Sequence, residues 1–169
     1  MTETRTVQVN RVYIKASAQQ VWDAITRPEW TARYGYGGFA EYDLRPGGTH
    51  RTKPTPEFVE AGFTTDLITG EVLEANPPRK LVITWKLLMD PSLEAEPATT
   101  LTFDVEQTQA AGVRLTITHD LTGAPNHAAL VSGAREDIDA KPGESAGGGW
   151  AWMLSDLKSL LETGHGIAS

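Results

Sequence analysis

The chain has 169 residues, 22 of them acidic and 15 basic, which gives a formal net charge of −7, and it contains no cysteine. A chain of this length can bury a large core, so residues 1–169 are expected to form a single domain without a disulfide or metal staple. The absence of cysteine excludes a disulfide framework, a thiolate zinc site and an iron–sulfur cluster. The basic residues are few and scattered, which excludes the electrostatic footprint of a nucleic-acid-binding protein.

The first 20 residues alternate polar and apolar side chains and lack the apolar run of a signal peptide. The longest apolar runs, such as residues 87–89, are far shorter than the roughly 20 residues that span a bilayer. We therefore expect a cytoplasmic protein with neither a membrane nor a nucleic acid among its partners.

The N-terminal part of the sequence predicts one strand and two short helices. The apolar positions of the strand are Val7, Val9, Val12 and Ile14. Their alternation slips by one near Asn10 and Arg11, which predicts a bulge or a twist. Residues 17–20 form a capping box that begins the first helix. Pro28 ends that helix and begins the second, which contains Trp30 and leads to Tyr34.

Alternating apolar residues and turn signals predict a run of antiparallel strands in the middle of the chain. Strands are predicted at residues 39–44, 64–75, 80–88, 100–105 and 113–120, with turns at 45–48 and 76–79. Residues 49–63 are polar and contain two prolines, and they predict a strand followed by a mobile loop.

The period-two pattern also predicts which side chains of the last three strands point inward. These are Leu81, Ile83, Trp85 and Leu87, then Leu101, Phe103 and Val105, and finally Val113, Leu115, Ile117 and His119.

The C-terminal part of the sequence predicts a connection followed by a long helix. Residues 124–145 are expected to be mostly exposed, with a short helix around 128–135 and an acidic run at 136–139. Glycines at 147–149 precede the long helix, and Gly164 ends it. Its apolar residues recur every three or four positions, at Trp150, Met153, Leu154, Leu157, Leu160 and Leu161.

This order of elements predicts an α+β fold. A curved antiparallel sheet of about six strands wraps around the long C-terminal helix, and two short helices follow the first strand. A sheet wrapped around a single helix commonly leaves a cavity between the two.

Several segments together resemble a known family. They are residues 21–26 with Pro28 and Trp30, 43–48, 70–82 with Trp85, 115–119, and 149–150 with Leu154 and Leu157. They resemble the SRPBCC or START-like superfamily, which has the helix-grip fold of the birch pollen allergen, and more narrowly the family named for the activator of heat-shock protein 90 ATPase. The resemblance implies the helix-grip fold, with small-molecule binding, cyclase-type catalysis or a stress-related role as the functions. Residues 49–63 and 125–148 follow the family pattern less closely.

His119 is the polar residue that most suggests a functional role, because it takes an inward position in a strand whose other inward residues are apolar. It could hydrogen-bond a ligand or act as a general base. It could equally be a core histidine bonded to a backbone carbonyl or a water. No serine or acidic residue at a diagnostic spacing joins it, so no catalytic residue is assigned.

Aromatic residues offer flat apolar surfaces that suit recognition of an apolar or aromatic small molecule, although each could also be plain core. The predicted ligand-binding set is Trp30, Tyr34, Trp85, Phe103, His119, Trp150 and Met153.

Neither a metal nor a cofactor is predicted. The histidines at 50, 119, 127 and 165 show no spacing typical of metal ligands. The glycines at 147–149 could place an anion at a helix N-terminus, but no lysine or second glycine motif accompanies them, which favours a linker or close packing.

Three functions follow from these observations. The first is binding of an apolar small molecule between sheet and helix, with His119 as the polar anchor. The second is a cyclase or hydratase reaction in the same cavity, with His119 as acid or base and Tyr34 or Tyr36 assisting. The third is a chaperone-associated stress-response protein that works through its surface. A homodimer formed through an exposed sheet edge is a further expectation.

Overall fold

The structure is a computed structural model that describes residues 5–132 and 149–167. Its strands are β1 (Val7–Ile14), β2 (Phe39–Tyr42), β3 (Thr49–Lys53), β4 (Ile68–Asn76), β5 (Lys80–Leu87), β6 (Thr99–Gln107) and β7 (Val113–Asp120). Its helices are α1 (Ala18–Thr26), α2 (Pro28–Thr31), α3 (Pro56–Glu60), α4 (Pro91–Glu94), α5 (Pro125–Val131) and α6 (Gly149–Thr163).

The strands form one antiparallel sheet in the order β1-β7-β6-β5-β4-β3-β2, so β1 and β2 are its two edges. The long helix α6 packs beside β1 and the inner face of the sheet. The predicted α+β fold is therefore confirmed, with seven strands where about six were expected.

The core lies between the inner face of the sheet and α6. Alternate residues of β5, of β6 as far as Val105, and of β7 are buried, as the alternation predicts. From α6 the core receives Trp150, Leu154, Leu157 and Leu160. Full burial of each such aliphatic side chain stabilises the fold by roughly 1.5–3 kcal/mol.

The capping box at the start of α1 is present as predicted. The Ser17 hydroxyl accepts from the Gln20 backbone N–H at 3.1 Å, and the Gln20 side chain accepts from the Ser17 backbone N–H at 2.9 Å. These two bonds satisfy amides that would otherwise lack a helical partner. Pro28 begins α2, where its missing N–H costs nothing.

Of the bulge or twist predicted in β1, the bulge is wrong. β1 pairs with β7 in one unbroken register from Val7, opposite Asp120, to Ile14, opposite Val113. The polar residue Gln8 lies on the partly buried inner face, where its side chain donates to the Ala128 carbonyl of α5 at 3.0 Å. An inward polar residue with a partner explains why the apolar pattern misled the prediction.

Two segments are more regular than their sequences suggest. The predicted mobile loop after β3 contains α3, which begins with Pro56 in its first turn. The predicted exposed connection begins with α5, in which His127 and Val131 are buried four residues apart on one face. The acidic run at 136–139 and the glycines at 147 and 148 lie outside the described residues.

Candidate functional site

Three of the predicted ligand-binding side chains meet between the sheet and α6. Trp85 on β5 and His119 on β7 point inward, and Trp150 in the first turn of α6 packs against both. The ring centroids of Trp85 and His119 lie 5.1 Å apart, those of Trp85 and Trp150 5.7 Å, and those of His119 and Trp150 5.8 Å. All three pairs are tilted or edge-on, as aromatic rings prefer.

A chain of hydrogen bonds links these rings. The Trp150 indole N–H donates to His119 Nδ1 at 3.0 Å, and His119 Nε2 lies 2.7 Å from Thr99 Oγ1. The Thr99 hydroxyl donates to the Trp85 carbonyl at 2.8 Å. Because the Thr99 proton is used on that carbonyl, His119 Nε2 must carry the proton that joins it to Thr99. His119 is therefore the neutral Nε2–H tautomer.

This environment keeps His119 uncharged. Its pKa is lowered to about 3, because burial disfavours the charged ring and because the neighbouring His127 would repel it. Both ring nitrogens are engaged within the protein, which is the arrangement of a satisfied core histidine. The roles of ligand anchor and general base stay predictions, since either would require this hydrogen-bond chain to open.

The remaining predicted residues have different surroundings. Phe103 on β6 is buried on the inner face of the sheet. The Tyr34 hydroxyl donates to the Ala24 carbonyl of α1 at 2.9 Å, and burial raises the pKa of that hydroxyl. Trp30 and Met153 are partly buried against the core. The set therefore divides between the ring cluster and the side of the core covered by α1 and α2.

A second buried polar cluster, formed by Glu96 and His127, is absent from the predicted site. The Glu96 carboxylate accepts from His127 Nδ1 at 2.7 Å and from the backbone amides of Asn126 at 2.7 Å and His127 at 3.1 Å. On the other side of the ring, His127 Nε2 accepts from the Leu87 backbone N–H at 3.1 Å. Glu96 thus joins the start of α5 to β5 through one imidazole.

Opposing effects act on the Glu96 carboxyl. Partial burial raises its pKa, but the hydrogen bonds from the His127 ring and from the two amides outweigh this and lower the pKa overall. Glu96 and Asn126 are 30 positions apart, which gives no spacing signal. The sequence offered one signal for a buried position at His127. His127 and the apolar Val131 are four residues apart, a spacing that places both on one face of a helix.

An open recess of about 410 Å³ lies on the flank of α6. Its walls come from residues 32–37, from α3, from α6 and from Gly166. Four aromatic residues line it, namely Tyr34, Tyr36, Phe58 and Trp152. Trp152 was missed because it lies outside the apolar stripe of α6, although an aromatic residue off that stripe was itself a visible signal.

Asp156 forms the floor of this recess and holds two chain segments to α6. It is 4% exposed, and its carboxylate oxygens accept from the Gly35 backbone N–H at 2.8 Å and the Ile167 backbone N–H at 2.7 Å. Gly35 has a φ of 63°, and a side chain there would run into Met153.

A family model described as "Activator of Hsp90 ATPase homolog 1-like protein" matches residues 15–162. The chain belongs to this family. The assignment confirms the resemblance to the SRPBCC superfamily that the sequence motifs indicate. A search of curated proteins finds no match.

Solved structures agree with the family assignment. CalU16 from Micromonospora echinospora matches with a TM-score of 0.61 and 19% identity over 95% of this chain and 84% of that chain. The Aha1 dimer from Colwellia psychrerythraea matches with a TM-score of 0.59 and 18% identity over 95% of this chain and 99% of that chain. DynU16, from the dynemicin biosynthetic locus, matches with a TM-score of 0.62 and 18% identity over 95% of this chain and 48% of that chain. At these identities the matches show the shared fold alone.

Within residues 5–132 and 149–167 of this family member, none of the helices has the length and apolar character that crossing a membrane requires. The same ranges contain no group of three or more histidine, aspartate or glutamate side chains that could hold a metal ion.

Replacing Asp156 by alanine is expected to lower the free energy of unfolding by about 2 kcal/mol, because hydrogen bonds to a charged acceptor contribute roughly 1.5–3 kcal/mol. This corresponds to a fall in Tm of about 4–8 °C, measured by thermal denaturation. The control is Ser155→Ala, which removes an exposed hydroxyl bonded to its own helix. Equal Tm values for the two variants would contradict a stapling role for Asp156.

Proposed function

We propose that the protein binds an apolar or aromatic small molecule between the sheet and α6, against Trp85, Phe103, His119 and Trp150. The observation that carries this proposal is the meeting of three inward rings, Trp85, His119 and Trp150, between the sheet and α6. Trp85 and Trp150 are each 8% exposed and Phe103 is 6% exposed. Together with Leu87, at 7%, they are among the less completely buried side chains of this wall.

The polar atoms of this wall define the chemistry of the ligand. Among the described residues, no buried side-chain nitrogen or oxygen lacks a hydrogen-bond partner. A polar ligand would have to break an existing bond, which costs about 1–3 kcal/mol for each buried group left unpaired. An apolar or aromatic ligand avoids this cost. Tyr34, Trp30 and Met153 would border the same ligand from the side that α1 and α2 cover.

The same bonds weigh against the cyclase or hydratase alternative. An acid or base must exchange a proton with its substrate. His119 gives one nitrogen to Thr99 and the other to Trp150, and its neutral form persists down to acidic pH. Binding without reaction is therefore the function that this geometry favours.

The test is native mass spectrometry of the purified protein, followed by organic extraction and titration with the apolar probe N-phenyl-1-naphthylamine. We expect one bound molecule per chain and a Kd at least fivefold weaker for Phe103→Leu, which removes one ring face from the wall. The matched control is Phe39→Leu, the same change at a phenylalanine that is 36% exposed on β2. A ligand-free mass together with no probe binding by the folded protein would refute the proposal.

The same spectra measure the mass of the assembly. Pairing of two chains through the edge strand β1 stays a prediction; its support is that Val9 and Tyr13 are 57% and 45% exposed there. A chaperone-associated role has only the family description behind it, and stable co-purification with a chaperone would favour it over carriage of a small molecule.

A further inference from the structure

The recess on the flank of α6 contains none of the three interior rings Trp85, His119 and Trp150, because its walls are Trp152 and Asp156 of α6, the loop before β2, and α3, with Tyr34 of that loop among them. We propose that this recess is a second binding site, for a planar aromatic molecule that carries a positive charge. The proposal does not depend on a ligand in the interior. It rests on the shape of the recess, on the rings of Tyr36, Phe58 and Trp152, and on its charges.

The size and openness of the recess suit a small molecule. Its volume of about 410 Å³ falls within the roughly 300–1,000 Å³ that is common for ligand pockets. The recess opens to solvent on the same side as Tyr36, which is 56% exposed. A molecule can therefore enter without any movement of the core.

The rings are arranged to receive another aromatic ring. The centroids of Tyr36 and Trp152 lie 5.3 Å apart, and their planes are tilted by 47°. Because the two planes diverge, each can offer part of its face to a third ring in offset or edge-to-face contact. Phe58 completes the wall, and its own ring is supported from outside the recess by Phe63 in an edge-on contact at 6.0 Å.

The charges around the recess favour a cation. The carboxylates of Glu57 and Asp156 line it, against the single guanidinium of Arg33 among the described lining residues. The Arg33 guanidinium lies 4.8 Å from the ring centroid of Trp30, which is not a lining residue. A cation beside these aromatic rings gains a cation–π attraction, and a carboxylate at the rim adds to it.

The two carboxylates have different parts in this arrangement. Both oxygens of Asp156 already accept backbone amides, so Asp156 shapes the floor. Glu57 lies in the first turn of α3 on the exposed side of the recess. Hydrogen bonds from its own backbone amide and from Thr55 lower its pKa and keep it charged. Glu57 is therefore the acid that would pair with the charged end of a ligand.

The experiment is a fluorescence titration with two acridines that share one ring system. At pH 7, 9-aminoacridine is a cation and acridine-9-carboxylate is an anion. We expect one 9-aminoacridine per chain and at least tenfold weaker binding of the carboxylate. Trp152→Ala should weaken 9-aminoacridine binding at least tenfold, and Glu57→Gln about threefold.

Matched variants separate this site from the rest of the molecule. Tyr13→Ala removes an exposed ring from β1, and Glu60→Gln neutralises an exposed acid at the other end of α3; neither should change the Kd. Phe103→Leu, which alters the interior wall, should also leave 9-aminoacridine binding unchanged.

Loss of binding in Phe103→Leu with retention in Trp152→Ala would place the cation in the interior and overturn the proposal. Equal affinity for the two acridines, or no binding of either by the folded protein, would also overturn it.

Discussion

Replacing Glu96 by alanine is expected to lower the free energy of unfolding by about 3 kcal/mol. The substitution leaves three buried or partly buried donors without an acceptor, namely the backbone amides of Asn126 and His127 and the His127 ring N–H. Each such donor costs about 1–3 kcal/mol, and partial entry of water reduces the total. Equilibrium denaturation in urea measures the difference between the variant and the parent protein.

The neighbouring residue Glu94 provides a matched control for this prediction. Glu94 is an exposed acid two positions earlier in the same segment, and Glu94→Ala should change the free energy of unfolding by less than about 0.5 kcal/mol. Hydrogen exchange adds a local readout, because Glu96→Ala should release the amides of α5 before those of β6. A loss of less than 1 kcal/mol in Glu96→Ala would mean that α5 is held without the carboxylate.

Stability is expected to fall by about 2 kcal/mol between pH 8 and pH 5 through His119 alone. The pKa of His119 is about 3 in the folded protein against an ordinary value of 6.5. At a pH between these two values, His119 therefore binds a proton in the unfolded chain but not in the folded chain. The full contribution is present above pH 6.5 and is lost as the pH falls, at about 1.4 kcal/mol per pH unit. Burial also lowers the pKa of His50, which adds a loss of the same sign.

The variant that tests the pH dependence is His119→Gln, whose amide can still accept from Trp150 and donate to Thr99. Its free energy of unfolding should vary less with pH than that of the parent, by about 2 kcal/mol between pH 8 and pH 5. His165→Gln, at an exposed histidine near the C-terminus, should keep the parental dependence. Parallel pH profiles for the parent and His119→Gln would show that His119 titrates normally in the folded state.

The sequence predicted the parts of the fold that rest on local patterns. The alternation in β5, β6 and β7 is regular because those strands lie in the middle of the sheet, with one face against the core. The capping box of α1 depends on residues three positions apart. By contrast, β1 is an edge strand whose inner face begins with Gln8, and its burial follows from the distant helix α5, which no local pattern reveals.

The candidate site shows the same division. The inward positions of Trp85 and His119 follow from strand alternation, and that of Trp150 follows from the apolar stripe of α6. The neutral tautomer of His119 could not be predicted, because it depends on Thr99, whose hydroxyl is already bonded to the Trp85 carbonyl. The Glu96–His127 cluster and the recess beside α6 likewise depend on contacts between residues far apart in the sequence.

The position of β1 has a consequence for how the protein is made. Among residues 5–132 and 149–167, β1 pairs with β7 alone, with Val7 opposite Asp120 and Ile14 opposite Val113. On the ribosome, the residues of β1 emerge first but must wait for about a hundred more before their hydrogen-bonding partner exists. A nascent chain halted before β7 is complete therefore exposes two unpaired strand edges, on β1 and β6. Completion of β7 closes both at once, because β7 lies between β1 and β6 in the sheet.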